Sequence, residues 1–98
     1  MKKATEAELK RLSARYVWWK TPDEAMRNPR RIMAQVMNLG DYEDMCKLVE
    51  IAGHEALRDV LRQAEAGEFN ERSWHYWHYR LRLAELEQVP PLPQRELP

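Results

Sequence analysis

Residues 40–67 read GDYEDMCKLVEIAGHEALRDVLRQAEAG, and their punctuation decides the fold class. Asp41 offers a side-chain cap for a helix that carries Met45, Leu48, Val49 and Ala52 at helical intervals, and Gly53 ends it. A second helix begins near His54, carries Leu57, Val60, Leu61 and Ala64, and is ended by Gly67. Links of one or two residues force such neighbours to pack as tight corners or hairpins. Gly40, Gly53 and Gly67 stand 13 and 14 residues apart, too close for a solenoid repeat, so they read as helix punctuation.

Working toward the N-terminus, a helix from Pro29 carries Ile32, Met33, Val36 and Met37 and stops at Gly40. Thr21-Pro22-Asp23-Glu24 starts a shorter one that spans Pro22 to Arg27, before Asn28-Pro29 restarts the chain. Thr5-Glu6-Ala7-Glu8 has capping-box spacing, and Leu9, Leu12, Tyr16 and Trp19 form an apolar stripe behind it. Toward the C-terminus, a last helix starts near Asn70 and Ser73 and runs to about Leu86. Val89-Pro90-Pro91-Leu92-Pro93 then removes amide donors and favours an extended polyproline path. The β-branched residues are few and scattered. The expectation is an all-α fold: a compact bundle of five or six short helices in one domain over residues 1–88, with an extended Pro-rich tail over 89–98. Its predicted core is Leu12, Trp19, Ile32, Val36, Leu48, Leu57, Val60, Leu61, Trp74, Trp77 and Leu81.

Composition agrees with a globular chain. Its 98 residues are 44% hydrophobic and 33% charged, enough for one small core. No apolar run approaches the roughly 20 residues that span a bilayer, and the first residues lack the apolar stretch of a signal peptide. A single cysteine, Cys46, excludes an intrachain disulfide framework and a cysteine-cage zinc site. The simplest expectation is a cytoplasmic protein with no membrane partner.

Net charge is zero, but the charges are segregated. Residues 1–40 carry nine Lys/Arg against four Asp/Glu, and residues 41–71 carry three against nine. Two readings follow: helix surfaces whose fields partly cancel, or opposed faces that dock a charged protein or nucleic acid. Arg27, Arg30 and Arg31 lie around a helix start, where they serve as surface decoration or hold an anion.

The aromatic segment Arg72-Ser73-Trp74-His75-Tyr76-Trp77-His78-Tyr79-Arg80-Leu81-Arg82 carries most of the chemistry. Helical spacing puts Trp74, Trp77, His78 and Leu81 on one face. His75, Tyr79 and Arg82 share a second, and Tyr76, Arg80 and Leu83 a third. A surface helix needs one apolar stripe, so this is either the central helix wrapped by the others or a helix with a core face and a Tyr/Arg hot spot. The hot-spot reading makes Arg72, His75, Tyr76, Tyr79, Arg80 and Arg82 partner-binding residues. The tail residues Pro91, Leu92, Pro93 and Arg95 join them if Pro90 to Pro93 fold back over the aromatic rings. His75 and His78 lack the spacing and intervening carboxylate of a zinc-protease helix. Cys46 reads as a buried core thiol. No catalytic residue, metal or cofactor is expected, and the chain does not read as an enzyme. Trp18 and Trp19 are adjacent at a helix end, so they point about 100° apart; Trp19 continues the stripe, and Trp18 is either packed over the turn or partly exposed.

Several of these pieces occur together in a known family. Trp19-x-x-Pro22, Pro29 with Val36-Met37-x-x-Gly40, Arg72-Ser73-Trp74-x-x-Trp77-His78-x-x-Leu81 and Pro90-Pro91-Leu92-Pro93-x-Arg95 resemble small bacterial proteins often encoded beside an AbiEii-type nucleotidyltransferase toxin. The resemblance covers roughly residues 16–95, and it implies an antitoxin-like partner of that enzyme with no catalytic residues of its own. The expected function is therefore a protein-interaction module that docks through the aromatic helix and tail, with the acidic 41–71 segment available to compete for a basic cleft. The alternative is a DNA-binding or transcription-regulatory helical domain using the basic residues 1–31. The neutral pI and the lack of a base-reading helix weigh against it.

Overall fold

The computed structural model, which describes residues 3–85 and 88–94, consists of six helices: α1 (Lys3–Tyr16), α2 (Pro22–Ala25), α3 (Pro29–Leu39), α4 (Tyr42–Ala52), α5 (His54–Arg62) and α6 (Glu71–Arg80). No strand occurs among the described residues, so the fold class is all-α. Among the described residues no helix is long and apolar enough to cross a membrane.

Short polar side chains start four of these helices. Thr21, Asn28, Asp41 and Asn70 each accept the amide three residues on, from Glu24, Arg31, Asp44 and Ser73. Thr21 and Glu24 complete a reciprocal capping box, with Pro22 at the first helical position. The capping-box expectation at Thr5 is corrected: α1 already runs from Lys3, so Thr5 lies inside the first turn.

The helix ends follow two rules. Gly53 closes α4 and opens α5 at φ 84° and ψ 158°, backbone that is essentially reserved for glycine. Gly40 is different: its backbone is extended, and a Cβ there would overlap the Val36 carbonyl oxygen. The expected end of α5 at Gly67 is corrected to Arg62, and that of α6 from Leu86 to Arg80. At α6 the amide of Leu83 bonds the carbonyl of His78 at 2.9 Å and that of Arg82 bonds Tyr79 at 3.1 Å. Arg82 sits at φ 57°. This is a Schellman closure with arginine where glycine is usual.

Packing is organised by α3, which contacts each of the other five helices. The helix wrapped by the others is thus α3, and the reading of the aromatic helix as the centre is corrected: α6 lies against α3 on one side. The smallest dimension, 22 Å, corresponds to two helix layers. Ten of the eleven expected core residues are buried. Trp19 is the exception at 48% exposure, with Val17 buried instead. The α-helix ends at Tyr16, so the three-residue step that should carry the stripe onward no longer applies. Leu9, Tyr16, Ala25, Ala34, Met37 and Phe69 complete the core.

The segregated charges meet inside the molecule. Arg15 on α1 pairs with Asp44 at 2.8 Å and Asp41 at 3.3 Å, and the Tyr16 hydroxyl donates to the same Asp44 carboxylate. Burial and that carboxylate push the Tyr16 hydroxyl pKa up. Arg30 forms a two-pronged pair with the buried Glu68 at 3.0 and 2.7 Å, and Arg31 joins at 3.3 Å. Arg30 and Arg31 are therefore neither decoration nor an anion site: they clasp the loop that follows α5.

Candidate functional site

On α6 the expected inner face forms: Trp74, Trp77, His78 and Leu81 are all buried. Each indole N–H reaches a distant carbonyl at 2.7 Å, Trp77 to Met37 and Trp74 to Pro90. Both histidines bond back to their own helix, His75 Nδ1 to the Glu71 carbonyl at 2.8 Å and His78 Nδ1 to that of Trp74 at 2.7 Å. Since a carbonyl only accepts, each Nδ1 is the donor. Among the described residues no group of three metal-ligating side chains occurs.

The outward arc of α6 carries Arg72, Tyr76 and Tyr79, with Tyr76 37% and Tyr79 38% exposed. At about 100° per residue the two tyrosines stand roughly 60° apart around the axis, with Arg72 between them. Arg80 bridges this arc to α4. Its guanidinium donates to the Tyr76 hydroxyl at 2.8 Å, approaches Cys46 Sγ at 3.8 Å and lies 5.2 Å from the Trp77 ring centre. Cys46 is only partly buried, which corrects its reading as a core thiol. The Tyr42 hydroxyl, beside that thiol, has its pKa raised by the contact.

Arg72 and Tyr76 also wall a cavity of about 370 Å³ between α6 and the α3–α4 corner, together with Asn38, Gly40, Met45 and Ser73. Leu39, in the chain between two lining residues, is 58% exposed, and Tyr42 is 70% exposed. Neither was anticipated. Both sit at helix termini, Leu39 at the last residue of α3 and Tyr42 at the first of α4, where no following or preceding turn covers the side chain. That position is the only signal the sequence offered.

The other expected partner-binding residues spread around this surface. His75 and Tyr79 are neighbours with tilted rings, 6.3 Å between ring centres. Arg82 lies beyond the helix at its left-handed closing residue. Residues 88–94 carry neither helix nor strand. Within them Leu92 packs partly buried against the core, Pro93 lines a cleft of about 330 Å³ with Trp74 and His78, and Pro91 is exposed. The structure thus sets Leu92 and Pro93 on a different side of α6 from Tyr76. Arg95 lies outside the described residues.

The outer arc carries cations that no described carboxylate neutralises. Among the described residues neither Arg72 nor Arg82 has a carboxylate within 4.0 Å, and Arg80 engages Tyr76, Cys46 and the Trp77 ring but no carboxylate. The basic N-terminal segment is largely spent, in contrast. Lys10, Arg11, Arg15, Arg30 and Arg31 all hold carboxylates. The acidic segment is spent likewise, with Asp41, Asp44, Glu55, Asp59, Glu65 and Glu68 in ion pairs.

No protein-family model, no curated protein and no solved structure matches this chain.

Proposed function

We propose that this chain is a non-enzymatic protein-interaction module whose docking surface is the outer arc of α6 with the α3–α4 corner. Its partner presents an acidic surface. The observation that carries this reading is the coincidence of exposed tyrosines (Tyr42, Tyr76, Tyr79) with arginines not neutralised by a described carboxylate (Arg72, Arg82). Tyrosine and arginine are the side chains enriched at binding hot spots, and unpaired cations draw an oppositely charged surface. The sequence resemblance to neighbours of AbiEii-type toxins makes the proposed partner a nucleotidyltransferase, and the proposed role that of a cytoplasmic antitoxin. Internal pairing of the acidic carboxylates moves the proposed contact from the acidic segment as a whole onto α6 and the neighbouring Tyr42.

The test is co-purification with an adjacently encoded nucleotidyltransferase, followed by assay of nucleotide transfer with and without this chain. Complex formation and loss of transfer are expected. Tyr76→Ala and Arg72→Glu should each weaken binding by roughly tenfold or more while the helical spectrum stays unchanged. A complex that both variants leave intact would move the docking surface elsewhere, and failure to associate at all would remove the antitoxin role.

A further inference from the structure

The corner between α1 and α2 takes no part in the α6 surface, yet it is the most exposed aromatic region among the described residues. Trp18 is 76% exposed and Trp19 48%, edge to face with ring centres 5.7 Å apart. Beside them opens a hollow of about 240 Å³ between Trp19, Lys20, Asn28 and Arg31, floored by the buried Val17, Ala25 and Ile32. Small-molecule sites begin at roughly 300 Å³, so this one suits a single aromatic side chain. A projecting indole and a hollow of about its size therefore lie side by side.

Such a patch is self-complementary. A two-fold axis passing between knob and hole sends each indole into the other protomer's hollow. The surrounding charge fits the same occupant. Lys20 and Arg27 have no carboxylate within 4.0 Å among the described residues. Asp23 keeps 85% of its side chain exposed even while pairing with Lys10, and Glu24 is exposed as well. Mixed signs on one patch allow a rotated copy to pair cation to carboxylate, Lys20 and Arg27 of one copy with Asp23 and Glu24 of the other.

We infer that the chain forms a homodimer through this corner, with Trp18 of each copy seated against the exposed Trp19 ring of the other, between its Lys20 and Arg31. An indole contributes on the order of 150–250 Å² of buried surface. Two of them with their rims stay at or below the roughly 1,200 Å² of weak, transient contacts, so the dimer is reversible and dependent on concentration.

Sedimentation equilibrium of the full chain from micromolar to millimolar protein tests this. The expected result is a monomer–dimer equilibrium whose dissociation constant rises roughly tenfold or more in Trp18→Ala. Lys20→Glu should weaken it by a smaller factor. Because Trp18 is exposed, Trp18→Ala should melt like the parent chain, and Tyr76→Ala on α6 should dimerise normally, which keeps this test independent of the docking surface proposed above. A chain that stays monomeric throughout, or a dimer that Trp18→Ala leaves untouched, overturns the inference. So does a monomer that captures a single-stranded oligonucleotide through Trp18, which would assign the corner to nucleic acid.

Discussion

Two pairs of tryptophans meet opposite fates in this molecule. Trp74 and Trp77 stand three residues apart on α6, are buried, and have their N–H groups satisfied by the Pro90 and Met37 carbonyls. Trp18 and Trp19 are adjacent at a chain reversal, and both are exposed. Spacing explains half of the difference: three residues keep Trp74 and Trp77 on one helix face, whereas Trp18 and Trp19 follow the end of α1 and have no helix face to share. The other half is polar. A buried indole needs an acceptor for its N–H, and elements remote in sequence supply one to each α6 tryptophan. Hydrophobicity alone would not have told the pairs apart.

The strongest way to break this contrast is at its buried end. Trp77→Ala removes a fully buried indole and leaves the Met37 carbonyl without its partner. A loss of about 3–5 kcal/mol is expected in urea denaturation, enough to unfold most of a domain this small at ambient temperature. Next in size is deletion of the chain after Glu87, which takes away Pro90 and the apolar contacts of Val89 and Leu92. Orphaning the Trp74 N–H should cost about 1–3 kcal/mol, with helical content at low temperature retained. A truncated chain that melts like the parent would show that water replaces Pro90 at no cost.

A third test asks whether charge holds the buried layer as firmly as the indoles do. Burial opposes ionisation of Glu68, but the Arg30 hydrogen bonds, the Glu65 amide and the charge of Arg30 and Arg31 together outweigh it and hold its pKa below the ordinary carboxylate value. A depressed native pKa means that the unfolded chain binds protons more readily on acidification. The contribution is therefore present above the unfolded value of about 4.3 and is lost as pH falls through the lower native value. Glu68→Gln should cost about 1–3 kcal/mol at neutral pH and flatten the decline of stability below about pH 4. Acid unfolding that is identical in both chains would show that other carboxylates set it. The smallest effect belongs to the exposed pair: Trp18→Ala should alter stability by no more than about 0.5 kcal/mol. A larger loss would mean that Trp18 braces the α1–α2 turn.

The helix boundaries were legible at many local signals but not at all of them, since Thr5 and Gly67 carried such signals while α1 already runs from Lys3 and α5 ends at Arg62. Asn28-Pro29, Asp41 and Gly53 each stop or start a helix through chemistry contained within a few residues, and the core stripes of α3, α4 and α5 follow from period alone. Misreadings cluster where the deciding partner is distant or atypical. Trp19 continued a stripe on paper because nothing nearby announces that α1 stops at Tyr16. The end of α6 carries no glycine, since Arg82 adopts the left-handed closing position itself. Glu68 drew no notice as one acid among many, and its burial depends on Arg30, thirty-eight residues away. At the candidate surface, the Tyr/Arg face of α6 was readable from spacing. Its extension onto Leu39 and Tyr42 was not, because it arises only when α3, α4 and α6 converge. The separation of Leu92 and Pro93 from that face likewise depends on which way the chain turns after Leu81.

The single glycine joining α4 to α5 makes the length of this segment intolerant of change. A loop of several residues absorbs an insertion by bulging, but Gly53 is at once the end of one helix and the beginning of the next. One extra residue within the first turn of α5 rotates everything beyond it by about 100° and advances it by about 1.5 Å. Leu57, Val60 and Leu61 would swing out of the core together. Relatives that preserve this architecture are expected to differ in length between α5 and α6 or after Leu83, and to keep the α4–α5 junction free of gaps.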